Sequence, residues 1–114
     1  MSAATGNSEL SGTEDVLVDI QDRIATVWLN RPAKHNAMNL GVFQALHKVF
    51  VALDADEDLR CVIVRGAGGK AFAAGADISE FETVRKDSDA ARAYADVSTP
   101  AGNAVINCRH PTIA

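Results

Sequence analysis

The run Arg60-Cys61-Val62-Ile63-Val64-Arg65 constrains this chain more than any other stretch. It is short, β-branched and almost continuously apolar, the pattern of a strand covered on both faces of a sheet. Just before it, Leu40, Phe43, Leu46, Phe50 and Leu53 recur at spacings of three and four, which draws one face of an amphipathic helix. Asn39 is placed as the N-cap of that helix, and Asp54-Ala55-Asp56-Glu57-Asp58 forms a solvated acidic break after it. A helix leading into a buried strand is the connection of a parallel pair, and such crossovers are right-handed.

The flanking segments extend the pattern. Val16-Leu17-Val18-Asp19-Ile20 and Ile24-Ala25-Thr26-Val27-Trp28-Leu29 read as two strands, with the polar Gln21-Asp22-Arg23 between them short enough for an antiparallel hairpin. Pro32 ends the second strand, since it has no N–H for a ladder and biases Arg31 to extended geometry. Ala90 to Cys108 reads as helix, interrupted near Thr99-Pro100, where Thr99 is placed to cap a new helix with Pro100 at its first position. His110-Pro111-Thr112-Ile113-Ala114 turns extended, as at the opening of another strand. Strand, strand, helix, strand, helix and incipient strand is the alternation of an α/β protein. Residues 1–14, rich in Ser, Thr, Gly and Glu, are expected to be a disordered lead-in, and residues 15–114 to form one domain-sized unit.

Composition narrows the function classes. A net charge of -4 argues against a nucleic-acid-binding surface. No stretch approaches the roughly 18 apolar residues of a membrane span, and the N-terminus lacks the basic start and apolar run of a signal peptide. Cys61 and Cys108 are too few and too far apart for a disulfide framework or a zinc site. A buried reduced thiol at Cys61 and a cytoplasmic setting are the expectation. His35, His47 and His110 have no spacing that suggests a metal site or a triad; a loop, a helix surface and the approach to a strand account for them.

Chemistry points to the loop after the third strand. Gly66-Ala67-Gly68-Gly69-Lys70 invites a phosphate-loop reading, but the P-loop template requires glycine where Val64 stands, and Ser or Thr where Ala71 stands. A dinucleotide fingerprint forced as Gly66-x-Gly68-x-x-Ala71 fails because Phe72-Ala73-Ala74-Gly75 interrupts the helix that should follow at once. Lys70 to Ile78 contains five tiny residues where the chain enters a helix. Small side chains admit a ligand to the backbone, and the N–H groups of a helix start are free to donate to an anion. An N–H aimed at a thioester oxygen is half of an oxyanion hole. The same small residues equally suit tight packing of a helix on a sheet, and chemistry alone does not separate the two.

The string Lys70-Ala-Phe-Ala-Ala-Gly-Ala-Asp-Ile-Ser-Glu-Phe81 closely resembles the oxyanion-loop signature of the enoyl-CoA hydratase/isomerase (crotonase) family. Leu29-Asn30-Arg31-Pro32 with Asn36-Ala37-Met38-Asn39 resembles the family's first block. Cys61 to Gly66 resembles the strand leading into the loop, and His110 to Ala114 the opening of the next block. The resemblance covers Val16 to Ala114. It implies the N-terminal part of an α/β, crotonase-like fold (a ββα-type spiral), with the sheet incomplete. By this resemblance Ala76 supplies one oxyanion-hole N–H, while Lys34, Ala37, Met38, Ala74, Ala76, Asp77 and Ile78 match positions that line coenzyme A. Lys34 suits a phosphate partner, although an ordinary exposed loop lysine accounts for it as well.

The resemblance further implies hydration of trans-2-enoyl-CoA thioesters, with double-bond isomerisation or another acyl-CoA reaction as alternatives, and a non-catalytic CoA-binding module as an alternative of another class. It implies coenzyme A as part of the substrate, with no prosthetic group or metal, and, for the full-length form, a homo-oligomer, trimer or hexamer. The family's second oxyanion donor and its acid/base glutamates match no position of this sequence. Glu80 and Glu82 are expected to face solvent, and Asp77 to cap a helix or orient the loop. With one donor and no carboxylate pair, the chain alone is expected to have little or no activity.

Overall fold

The computed structural model describes residues 4–75 and 88–114. Strands β1 (Val16–Gln21) and β2 (Ile24–Leu29) form the expected antiparallel hairpin, with Gln21 opposite Ile24. Asp22 and Arg23 both take positive φ, 53° and 67°, which is the two-residue turn whose twist matches the strands it joins. Helix α1 (Leu40–Ala55) follows, and the chain returns in β3 (Cys61–Gly66), parallel to β2. Helix α2 (Ser88–Ile106) packs along α1, and β4 (Thr112–Ile113) joins β3 in parallel. The sheet order is β1-β2-β3-β4, so β1 is an edge. No helix among the described residues is long and apolar enough to cross a membrane.

The core lies between one face of the sheet and the two helices. Val16, Val18, Ala25, Val27, Leu29 and Val62 meet Val42, Ala45, Leu46, Val49, Phe50 and Leu53 of α1, with Ala101 of α2 closing the cluster. The buried stripe of α1 is wider than the spacing of Leu40, Phe43, Leu46, Phe50 and Leu53 suggests. Val42, Ala45 and Val49 are in the core, whereas Leu40 and Phe43 are only half-buried. The helix is covered on two sides, by the sheet and by α2. Phe43 serves the second, meeting Tyr94 edge-to-face at 5.8 Å. On the other face of the sheet, Leu17, Trp28 and Ala67 are buried together and Arg65 lays its guanidinium 4.6 Å from the Trp28 ring centroid. β3 is therefore less evenly covered than its apolar run suggests: Val62 is buried, Ile63 and Val64 half-buried and Arg65 exposed.

Two expectations are corrected. Pro100 does not divide α2; it sits inside a continuous helix. A proline there removes one intrahelical bond, to the carbonyl four residues earlier. That carbonyl belongs to the exposed Asp96, so water can satisfy it, and the next residue, Ala101, is held in the core. Residues 4–14 are not a free lead-in. Asn7 forms a β-bridge with Val18, and Ser11 is buried against the start of β1.

Asn39 caps α1 as expected, its side chain accepting from Val42 N at 2.9 Å. Asn39→Ala is expected to lower unfolding stability by about 1 kcal/mol, and Asn39→Asp by only a few tenths. Urea-unfolding midpoints of the two variants check this.

Candidate functional site

β2 and β3 are parallel, so the loops leaving their carboxyl ends emerge at the same edge of the sheet. In open α/β sheets this edge is where ligands bind. The loop after β2 begins with a single 3-10 turn, Pro32–Lys34, with Pro32 at its first position, where the missing N–H costs nothing. His35 and Asn36 then take left-handed φ values of 52° and 58° in succession. Asparagine tolerates this conformation better than most residues, and here it carries the side chain inward.

Asn36 is 2% exposed, and its amide is fully engaged. Oδ1 accepts from Arg31 N at 2.9 Å, while Nδ2 donates to Ala67 O at 3.0 Å and Ala71 O at 2.8 Å. One side chain thus closes its own loop and holds the loop that follows β3. The fit leaves no room for a side chain at position 66: a Cβ there would lie 2.2 Å from Ala71 O. Arg31 adds a second tie, donating from Nη1 to Ala37 O at 2.6 Å. Further along, Met38 N donates to Gly75 O at 2.7 Å, and Gly75 has a φ of 95° that favours glycine.

Two cavities open beside these loops. One, of about 270 Å³, lies between residues 32–36 and 67–71 and is lined in part by His35, Asn36 and Lys70. The other, of about 540 Å³, is mostly apolar, with Leu29, Met38, Leu46, Phe50, Val64 and Phe72 among its walls. Met38 and Phe72 bring the two loops to the rim of the apolar space. The arrangement places a small cleft walled in part by His35 and Lys70 and an apolar chamber on the same pair of loops. Such a site can hold a polyanion that bears an apolar tail.

The expected residues fall as follows. Ala37 and Met38 are half-buried, and the Met38–Gly75 bond brings them beside Ala74. Lys34 is exposed at the end of the 3-10 turn. Ala76, Asp77 and Ile78, together with the short helix expected at Ile78 to Phe81, lie outside the described residues. The residues that sequence reading did not single out are Asn36, as the tie between loops, and His35 and Lys70, as cleft walls. Asn36 was legible as part of a motif, but its partners are backbone carbonyls, which leave no mark in a sequence. His110 is buried; its Nε2 lies 3.0 Å from Leu53 O and 2.9 Å from Asp56 O, closing the C-terminal end of α1. Among the described residues, no group of three or more His, Cys, Asp or Glu is placed to hold a metal ion.

Comparison with known proteins bears on this geometry. The family model described as enoyl-CoA hydratase/isomerase matches residues 24–114. A solved enoyl-CoA hydratase/carnithine racemase from Magnetospirillum magneticum has a TM-score of 0.85 and 42% identity, over 88% of this chain and 38% of that one. The short-chain-enoyl-CoA hydratase of Clostridium acetobutylicum is 37% identical over 68 residues, 60% of this chain and 26% of that protein. The mitochondrial 3-hydroxyisobutyryl-CoA hydrolase of Xenopus laevis is 35% identical over 89 residues, 77% of this chain and 23% of that protein. The chain thus spans about a quarter of the length of these curated relatives. The architecture is the α/β, crotonase-like fold of the solved relatives.

Asn36→Asp is nearly isosteric but turns a donor into an acceptor facing two carbonyls. Asn36→Ala is expected to cost about 2–3 kcal/mol, because it leaves Ala67 O and Ala71 O without their donor, and Asn36→Asp more than that, because it also sets a buried carboxyl oxygen against both carbonyls. Thermal unfolding of both variants checks the magnitude, and faster exchange of the Met38 amide, which donates to Gly75 O, checks that the loop is released.

Proposed function

The chain belongs to the enoyl-CoA hydratase/isomerase family, and from that membership we propose that it forms the acyl-CoA-binding part of an enzyme that hydrates trans-2-enoyl-CoA thioesters. The observation that carries the reading is the juncture of the two loops at Met38 N–Gly75 O, with an apolar chamber at Met38 and a small cleft walled in part by His35 and Lys70 between the same loops.

Coenzyme A carries several phosphate charges on a flexible pantetheine arm, and its acyl group is apolar. Lys34 is assigned to the phosphates, with His35 and Lys70 lining the cleft nearby. Ala37, Met38 and Ala74, with Asp77 and Ile78, are assigned to the adenine and pantetheine. Close approach of these groups to backbone is favoured by the small side chains on both loops. The apolar chamber suits the acyl chain, whose transfer from water is worth about 0.8 kcal/mol per buried methylene.

In hydration, a water oxygen bonds to the β-carbon and a proton goes to the α-carbon. Charge passes through the thioester oxygen on the way, and a preorganised backbone N–H aimed there lowers the barrier. By the resemblance of the Lys70–Phe81 string to the family's loop, the oxyanion donor is assigned to Ala76 N–H. No acid–base pair is assigned to this chain, and Glu80 and Glu82 are not given that role. The reading needs neither a prosthetic group nor a metal. It also includes a cytoplasmic homo-oligomer, trimer or hexamer, which sedimentation of the purified protein tests.

Hydrolysis of an acyl-CoA is the second reading, favoured by the 35% identity with a 3-hydroxyisobutyryl-CoA hydrolase. Both reactions develop charge on the thioester oxygen, so both would use the same loop.

Calorimetry with CoA is expected to show saturable binding that Lys34→Ala weakens about two- to fivefold, the scale of one exposed ion pair, with pantetheine binding unchanged. Acetoacetyl-CoA, whose enolate presents the oxyanion, is expected to bind more tightly than CoA. Ala76→Pro, which deletes the N–H, should weaken that ligand roughly a hundredfold and CoA itself by much less. CoA binding with no added contribution from the enolate would support a binding module instead. Absence of CoA binding would overturn the proposal.

A further inference from the structure

Among the described residues β1 is one edge of the sheet and β4 the other, and the apolar, β-branched sequence of β1, Val-Leu-Val-Asp-Ile-Gln, makes it the longer template for another strand. Natural edges are blunted by lysine, proline, a bulge or a covering segment. β1 has neither lysine nor proline, and its pairing with β2 runs through all six residues without a bulge. Asp19 is its one charged residue, and covering is the further device.

In a strand the backbone N–H and C=O of alternate residues point to the same side. Val16, Val18 and Ile20 therefore present theirs outward, away from β2. The segment preceding β1 takes up the first two. Asn7 N donates to Val18 O at 3.1 Å, and Val18 N donates to Asn7 O at 2.9 Å. Val16 N donates to Thr13 O at 3.4 Å, and the Ser11 hydroxyl donates to Val16 O. Ser11 is 3% exposed, although a serine in a polar terminal segment would ordinarily face water. Thr5 adds a side-chain bond to Asp19 at 2.7 Å. The approach at Gly6 is close enough to require glycine: its φ is 89°, and a Cβ would lie 2.2 Å from Val18 O.

We infer that residues 4–14 are a strap that closes the β1 edge and keeps it from pairing with β1 of a second copy of this chain. The occupant it excludes follows from the strand. Antiparallel β1–β1 pairing is self-complementary, and it would bury the β-branched Val16, Val18 and Ile20 edges against their counterparts. Ile20, whose outward groups no residue of the strap takes up by a backbone bond, is 46% exposed. The strap itself is polar, held by a few hydrogen bonds and little apolar burial, so it opens at lower free energy than the core.

Amide exchange on the intact chain tests the closure directly. The Val16 and Val18 amides are expected to exchange at least tenfold more slowly than the Ile20 amide; equal rates at Val18 and Ile20 would overturn the inference. Gly6→Val should release the strap, accelerate exchange at Val18 about tenfold or more, and shift sedimentation to a species with twice the parent's mass. Adding Ile20→Lys, which charges the exposed edge, should restore the parent mass while Val18 remains fast. A released strap with no change in mass would sink the proposal, as would a mass change that Ile20→Lys leaves in place.

Discussion

The two loops proposed to bind the ligand leave different strands, and among the described residues neither has regular structure over most of its length. What fixes their relation is the side-chain amide of Asn36, buried between them and bonded to Arg31 N, Ala67 O and Ala71 O. Each such bond contributes only about 1 kcal/mol net. The arrangement is nonetheless hard to relax, because the acceptors are backbone carbonyls at a buried amide, and an unmet carbonyl there is expensive. The left-handed backbone at His35 and Asn36, the missing side chain at Gly66 and the Met38–Gly75 bond all conform to that one contact.

This division suits a site in which backbone binds the ligand. Side-chain chemistry at the rim is sparse: His35 and Lys70 at the cleft, Lys34 nearby, apolar walls elsewhere. Precision then has to come from where the main chain is held. Parallel pairing of β2 with β3 sets the coarse position, since it brings both loops to one edge. Asn36 sets the fine position. His110 performs a comparable service at the opposite end of α1, where its ring meets the carbonyls of Leu53 and Asp56 and so ties the approach of β4 to the helix.

The fold was legible wherever local pattern and tertiary environment agree. The Asp22-Arg23 turn, the Asn39 cap and the parallel β2–β3 pair all follow from spacing and residue type. Departures arose where a second neighbour intervened. α1 buries a broader stripe than its heavy residues mark because α2 covers its flank at Phe43. Pro100 stays inside α2 because packing at Ala101 outweighs one lost bond. Residues 4–14 look like a tail by composition, yet they satisfy an edge that composition does not reveal.

The sequence by itself determined the family and the class of fold, because the small-residue loop, the block from Leu29 to Asn39 and the apolar β3 are local patterns that occur together in one order. It also singled out the two loops proposed to bind the ligand. Only the tertiary structure decided how those loops meet, which face of α1 is buried and what lies on the β1 edge. The physical reason is the same in each case. These are contacts to backbone groups or to surfaces distant in the chain, and every residue carries the same carbonyl and, proline excepted, the same N–H. A pattern of side chains records what each residue offers, while the fold decides which main-chain group receives it.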